Sequence, residues 1–74
     1  MMQYKATVVD LIPGESDEKL AAEATSYGYG ETIAQAEQAA LAGSAANCNR
    51  RVYVEEFRAP YRIVKGPYVL RSSK

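Results

Sequence analysis

Seventy-four residues with nine basic and nine acidic side chains make a chain of zero formal net charge, enough for one domain that buries only about 60% of the surface its unfolded chain exposes. With no histidine and one cysteine, Cys48, neither an internal disulfide nor a Cys/His zinc site is expected, and a reducing cytoplasm is the expected setting. The N-terminus lacks a basic region followed by an apolar stretch, and no run approaches the roughly 18 apolar residues of a membrane span.

The even total hides an asymmetry. Residues 1 to 49 carry two lysines against seven acids, a net of −5, whereas residues 50 to 74 carry seven basic residues against two acids, a net of +5.

In "QYKATVVD", Tyr4, Ala6 and Val8 alternate with Lys5, Thr7 and Val9, the two-residue period of a strand with one better-buried face. Pro13 and Gly14 suit a turn, and the acids after them have no apolar period, so residues 12 to 18 read as a solvated connection. The segment "KLAAEATSYGYG" returns as a second strand, with Leu20, Ala22 and Ala24 on one side and Glu23, Thr25, Tyr27 and Tyr29 on the other.

A helix comes next. Thr32 and Gln35 fit a capping box, and Ile33, Ala36, Ala40 and Gly43 recur at helical spacing towards Asn47. A ridge of such small side chains lets a helix sit close to a sheet; Gly43, read inside the helix, would cost about 1 kcal/mol relative to alanine, with close packing as its compensation. Asn47 to Asn49 are expected to close the helix.

Alternation resumes in "RRVYVEEF", Val52, Val54 and Glu56 opposing Arg51, Tyr53, Glu55 and Phe57. Pro60 and then Gly66-Pro67 divide the C-terminal stretch into two short extended pieces, "YRIVK" and "YVLR", because proline cannot donate to a ladder. The whole reads as one α+β domain over residues 1 to 74, an antiparallel sheet with one helix packed on one face, in the order ββαβ with one or two added strands; the last three residues read as a frayed tail.

The run "YGYGETIAQAEQAALAGSA", a strand ending in glycine and then an alanine-rich helix, resembles over residues 20 to 46 the strand-helix half of double-stranded-RNA-binding domains. The resemblance implies a ββα packing unit. That family's helix begins with phosphate-contacting lysines; here Glu31, Thr32, Gln35 and Glu37 stand in their place, so no RNA-binding residue carries over.

Catalytic patterns are thin. "GYGET" lacks the lysine and further glycines of a phosphate loop, and its glycines read as serving a tight strand-to-helix turn. Glu55 and Glu56 are adjacent in a strand and point to opposite faces, Asp17-Glu18 sits in a solvated connection, and Cys48 has no base to pair with. No enzyme activity, cofactor or metal is expected.

There remains a constellation of rings and arginines, Tyr27, Tyr29, Tyr53, Phe57, Tyr61 and Tyr68 with Arg51, Arg58, Arg62 and Arg71. With the helix on one face through Val52 and Val54, residues Tyr27, Tyr53 and Phe57 would project from the other together with Arg51, and Arg58 and Arg62 lie just beyond. Tyr and Arg dominate the energetic centres of protein interfaces, and the same chemistry stacks bases and binds phosphates. A blander reading has the rings pairing across strands while arginines cover them and neutralise Glu55 and Glu23. Charge neutrality favours a protein partner over nucleic acid. The opposed charges also suit a homodimer, and the proline-punctuated C-terminal strands a sheet edge open to strand addition. The expectation is a non-catalytic protein-binding module using Tyr27, Arg51, Tyr53, Phe57, Arg58 and Arg62, with nucleic-acid binding by the same face as the alternative.

Overall fold

A computed structural model of the chain describes residues 2–11, 25–44 and 49–71. Strand β1 (Tyr4–Leu11) is followed by β2 (Thr25–Gly30), helix α1 (Ile33–Ala42), β3 (Asn49–Glu56) and β4 (Ile63–Leu70). All neighbours are antiparallel in a four-stranded sheet of order β2-β1-β3-β4. The expected α+β class and helix-on-sheet arrangement are what the chain adopts. Leu20, Ala22, Ala24, Asn47, Cys48 and the connection at 12 to 18 lie outside the described residues.

Helix α1 lies over β2 and β1 and reaches β3 only at its margin. The strand alternation places Ala6, Val8, Val52 and Val54 beneath it, and with Ala36 and Ala40 these are completely buried. Tyr4, Ile33, Leu41, Tyr68 and Leu70 pack around them. The helix starts as the capping box requires: the Gln35 amide donates to Thr32 Oγ1 at 3.1 Å, and the Thr32 amide donates back to Gln35 Oε1 at 3.3 Å. These bonds satisfy amides that the first turn leaves without helical partners.

Three expectations need correcting. Helix α1 stops at Ala42 with Gly43 as its C-cap, not near Asn47. The Gly43 and Ser44 amides donate to the carbonyls of Ala40 and Leu41, and Ser26 Oγ ties the Gly43 carbonyl to β2 at 3.0 Å. Helix-end carbonyls are thereby answered and the chain has no reason to continue the turn. Asn49 opens β3 instead.

Gly28 and Gly30 do not serve a tight turn, since neither has positive φ. They are strand residues over which the helix backbone passes. A Cβ on Gly28 would lie 2.5 Å from the Ala36 carbonyl oxygen and 2.7 Å from the Ala39 carbonyl carbon, and one on Gly30 would lie 2.6 Å from Gln35 Cβ. The small ridge of α1 therefore meets a bare stripe of strand, and the two backbones nearly touch.

The third correction concerns the C-terminal segment, where Gly66-Pro67 does not end a strand. β4 runs through it as one element, with register shifts between Val52 and Val54 and between Val54 and Glu55. Such bulges give β4 extra residues where Pro67 has no N–H to offer. Gly66 takes φ 85, and a Cβ there would lie 2.7 Å from the Val52 carbonyl oxygen.

Thr7 points to the face of the sheet away from α1, yet between Tyr27 and Tyr53 it is only 3% exposed, and its hydroxyl has no hydrogen-bond partner among the described residues. A buried hydroxyl left unanswered costs about 1–3 kcal/mol. Thr7→Val, which keeps the branched shape, is expected to raise stability by about 1 kcal/mol in urea unfolding; a drop would show that the hydroxyl is satisfied.

Candidate functional site

The face of the sheet away from α1 is set by strand parity. On β1, Lys5, Thr7 and Val9 point there. Thr7 stands directly between Tyr27 of β2 and Tyr53 of β3, Lys5 between Tyr29 and Glu55, and Val9 between Thr25 and Arg51. On β4, Val69 is in register with Arg51 and Ile63 with Glu55. No element among the described residues covers this face.

The rings are disposed in two groups. Tyr27 and Tyr53 flank Thr7, with Lys5 Nζ 4.6 Å from the centre of the Tyr27 ring, close enough for a cation–π contact. Further along, Tyr29 and Phe57 meet edge to face at 5.0 Å between ring centres, which links β2 to the residue just past the end of β3, across β1. Tyr27 is 54% exposed and Phe57 47%. Ile63 and Val69 are exposed as well, so this half of the surface is an apolar and aromatic sheet with charged groups between its rings.

Of the residues expected from the sequence to meet a partner, Tyr27, Arg51, Tyr53 and Phe57 lie on this open face, and Arg58 and Arg62 in the β3–β4 turn beyond Phe57. They do not form one basic patch. Arg51 pairs in register with Val9, and roughly 20 Å of strand separates it from the turn. Lys5 was missing from the expected set, and Tyr29 and Tyr61 belonged to the constellation of rings without being assigned to a partner. Tyr29 shares the parity of Tyr27, a signal available in the sequence, whereas its pairing with Phe57 depends on strand register.

On the helix side, α1 leaves a shallow groove beside β4 lined by Leu41 and Leu70 with Glu37, Lys65 and Tyr68. Lys65 Nζ lies 3.0 Å from Glu37 Oε2 and the Tyr68 hydroxyl donates to the same carboxylate. Burial by itself would raise the pKa of Glu37, but the Tyr68 hydroxyl and the Lys65 ammonium together hold it below its ordinary 4.5. Burial first, and then the facing carboxylate, push the Tyr68 phenol up to about 12. This cluster ties helix to edge strand and leaves its acid committed.

The two groups give the cluster opposite limbs of pH dependence. Tyr68 has a raised folded-state pKa, so its contribution is complete below pH 10.0 and lost as pH climbs towards about 12. Glu37 works the other way, contributing above pH 4.5 and failing as pH falls through its depressed value. In a spectrophotometric titration one of the six tyrosines should ionise after the rest, and Tyr68→Phe should abolish that late step. Six phenols ionising together in the wild type would refute the link.

Among the described residues no group of three or more His, Cys, Asp or Glu could hold a metal. Glu55 stands opposite Lys5 and Glu56 opposite Tyr4, so the two acids face opposite sides of the sheet. No helix among the described residues is long and apolar enough to cross a membrane.

Fold and surface together define a small ββαββ domain, an antiparallel sheet with one helix on one face and, among the described residues, rings on the other. Comparisons with protein-family models, curated proteins and solved structures returned no match.

Proposed function

We propose that this chain is a small non-catalytic protein-binding module, of regulator or inhibitor type, that docks a partner on the open sheet face through Tyr27, Tyr53 and Phe57. The observation that carries the reading is that no element among the described residues covers this face: Tyr27 and Phe57 stand exposed on a sheet whose opposite side already holds the core. Side chains fixed on a sheet lose little freedom on binding, which favours them as interface anchors. Val69 and Ile63 extend the surface onto β4. Strand addition to the β4 edge is the weaker mode, since bulges and Pro67 break the row of free amides such pairing needs. The one-cysteine composition suits a reducing, cytoplasmic setting.

The test is a comparison of what the purified wild-type chain and a Tyr27→Ser/Phe57→Ser variant retain from solution. A protein held by the first and lost by the second is the expected result. Single- or double-stranded oligonucleotides that bind with an affinity falling steeply in salt, and weakly to Arg51→Ala and Arg58→Ala variants, would replace this reading with nucleic-acid binding.

A further inference from the structure

The β3–β4 turn is built to present side chains outward. The Phe57 amide donates to the Gln3 carbonyl at 2.8 Å and the Glu56 amide to the Arg62 carbonyl at 2.9 Å, which pins both ends of the turn to the sheet. Within it, the Tyr61 amide donates to the Arg58 carbonyl at 2.7 Å. Phe57, Arg58, Tyr61 and Arg62 are all exposed.

Two features of this turn are not accounted for by contacts among the described residues. Tyr61 sits at φ 59, a left-handed conformation uncommon for a bulky residue and one that glycine or asparagine would adopt at less cost. Tyr61 is 56% exposed and is not among the residues packed against the core. The second feature is charge. Lys5 lies over Tyr27, Arg50 donates to Ser44 and Lys65 pairs with Glu37, yet neither Arg58 nor Arg62 has an ion pair or side-chain hydrogen bond among the described residues.

Two unengaged guanidinium groups around exposed rings call for a planar anion with something apolar beside it. Carboxylates and phosphates both qualify, and the surroundings discriminate. A phosphate backbone running from the turn onto the open face would meet Glu55, which lies beside Lys5 in the register, and the chain as a whole has no net positive charge. A short peptide can confine its acids to the turn and lay an apolar side chain on Phe57, already braced by Tyr29.

We propose that the β3–β4 turn recognises an acidic protein segment, with Arg58 and Arg62 taking two carboxylates and Phe57 and Tyr61 receiving an apolar or aromatic side chain between them. The inference rests on the protein-binding reading and adds the chemistry of the partner.

A phage library of random twelve-residue peptides, selected on the immobilised full chain, tests it. Selected peptides should carry at least two Asp or Glu residues around an apolar one, and a synthetic copy should bind at least about tenfold more weakly to an Arg58→Ala/Arg62→Ala variant. Tyr61→Gly should weaken the same peptide while leaving thermal stability equal or higher, which a merely structural tyrosine would not do. Peptides without acids that bind through Tyr27 and ignore the arginine variants would overturn this inference and leave the protein-binding reading standing. Recovery of no peptide would overturn it too. Oligonucleotide binding lost in the double arginine variant would overturn both. A dimer in sedimentation that dissociates in that variant would make a second copy the occupant and displace the acidic partner.

Discussion

Gly28→Ala is expected to be the most damaging single-methyl change in this domain, lowering stability by at least about 3 kcal/mol, at the top of the range for overpacking. Most overpacked sites relax by turning a side chain aside. Here the obstacles are the helix backbone at Ala36, Ala39 and Ala40, so α1 must lift from β2 and surrender the burial of Ala36 and Ala40. A domain of this size holds roughly 4–11 kcal/mol in all, and the variant should lose much of its folded population. Gly43→Ala is the control. A Cβ there meets nothing among the described residues nearer than Ser26 Oγ at 3.6 Å, and the change should stay within about 1 kcal/mol of wild type, since reduced freedom of the unfolded chain favours alanine. Urea unfolding followed by circular dichroism measures both. Equal midpoints for the two variants would show that the helix does not rest on Gly28.

Val8→Ala should cost about 2–3 kcal/mol, from two lost methyl groups and the cavity they leave. Among the described residues, Val8, Val52 and Val54 are the largest completely buried side chains, and the other buried hydrophobic residues are alanines. Alanine cannot extend into a void, and Val52, directly opposite Val8 in the sheet, is held by its own β-branched rotamer. The midpoint in urea should fall with an unchanged slope. A loss below about 1 kcal/mol would mean the helix settles into the gap.

These two changes mark where reading the sequence succeeds and where it stops. Alternation in Tyr4 to Val9 and Arg51 to Phe57 identified the inward valines and the outward rings, because side-chain direction in a strand repeats every two residues whatever lies alongside. The Thr32–Gln35 box located the helix start, because its bonds close within one turn. Gly28 and Gly30 were legible only as glycines: their role belongs to a helix backbone that arrives from outside the strand. Lys5 entered the candidate surface for the same reason, since β1 sits between β2 and β3; Tyr29 was legible by its parity with Tyr27, but register alone brings it to Phe57.

The amino-acid order alone therefore determined the kinds of element, their inward faces and the presence of rings and arginines in the last third of the chain. Tertiary structure decided that Gly66-Pro67 lies within β4 and that Arg51 stands apart from Arg58 and Arg62. It also decided that the two turn arginines lack a partner among the described residues. The physical reason is one of range. Periodicity and capping are settled by groups a few residues apart, whereas bulges, close backbone approach and charge pairing depend on which distant strand or helix fills the neighbouring space.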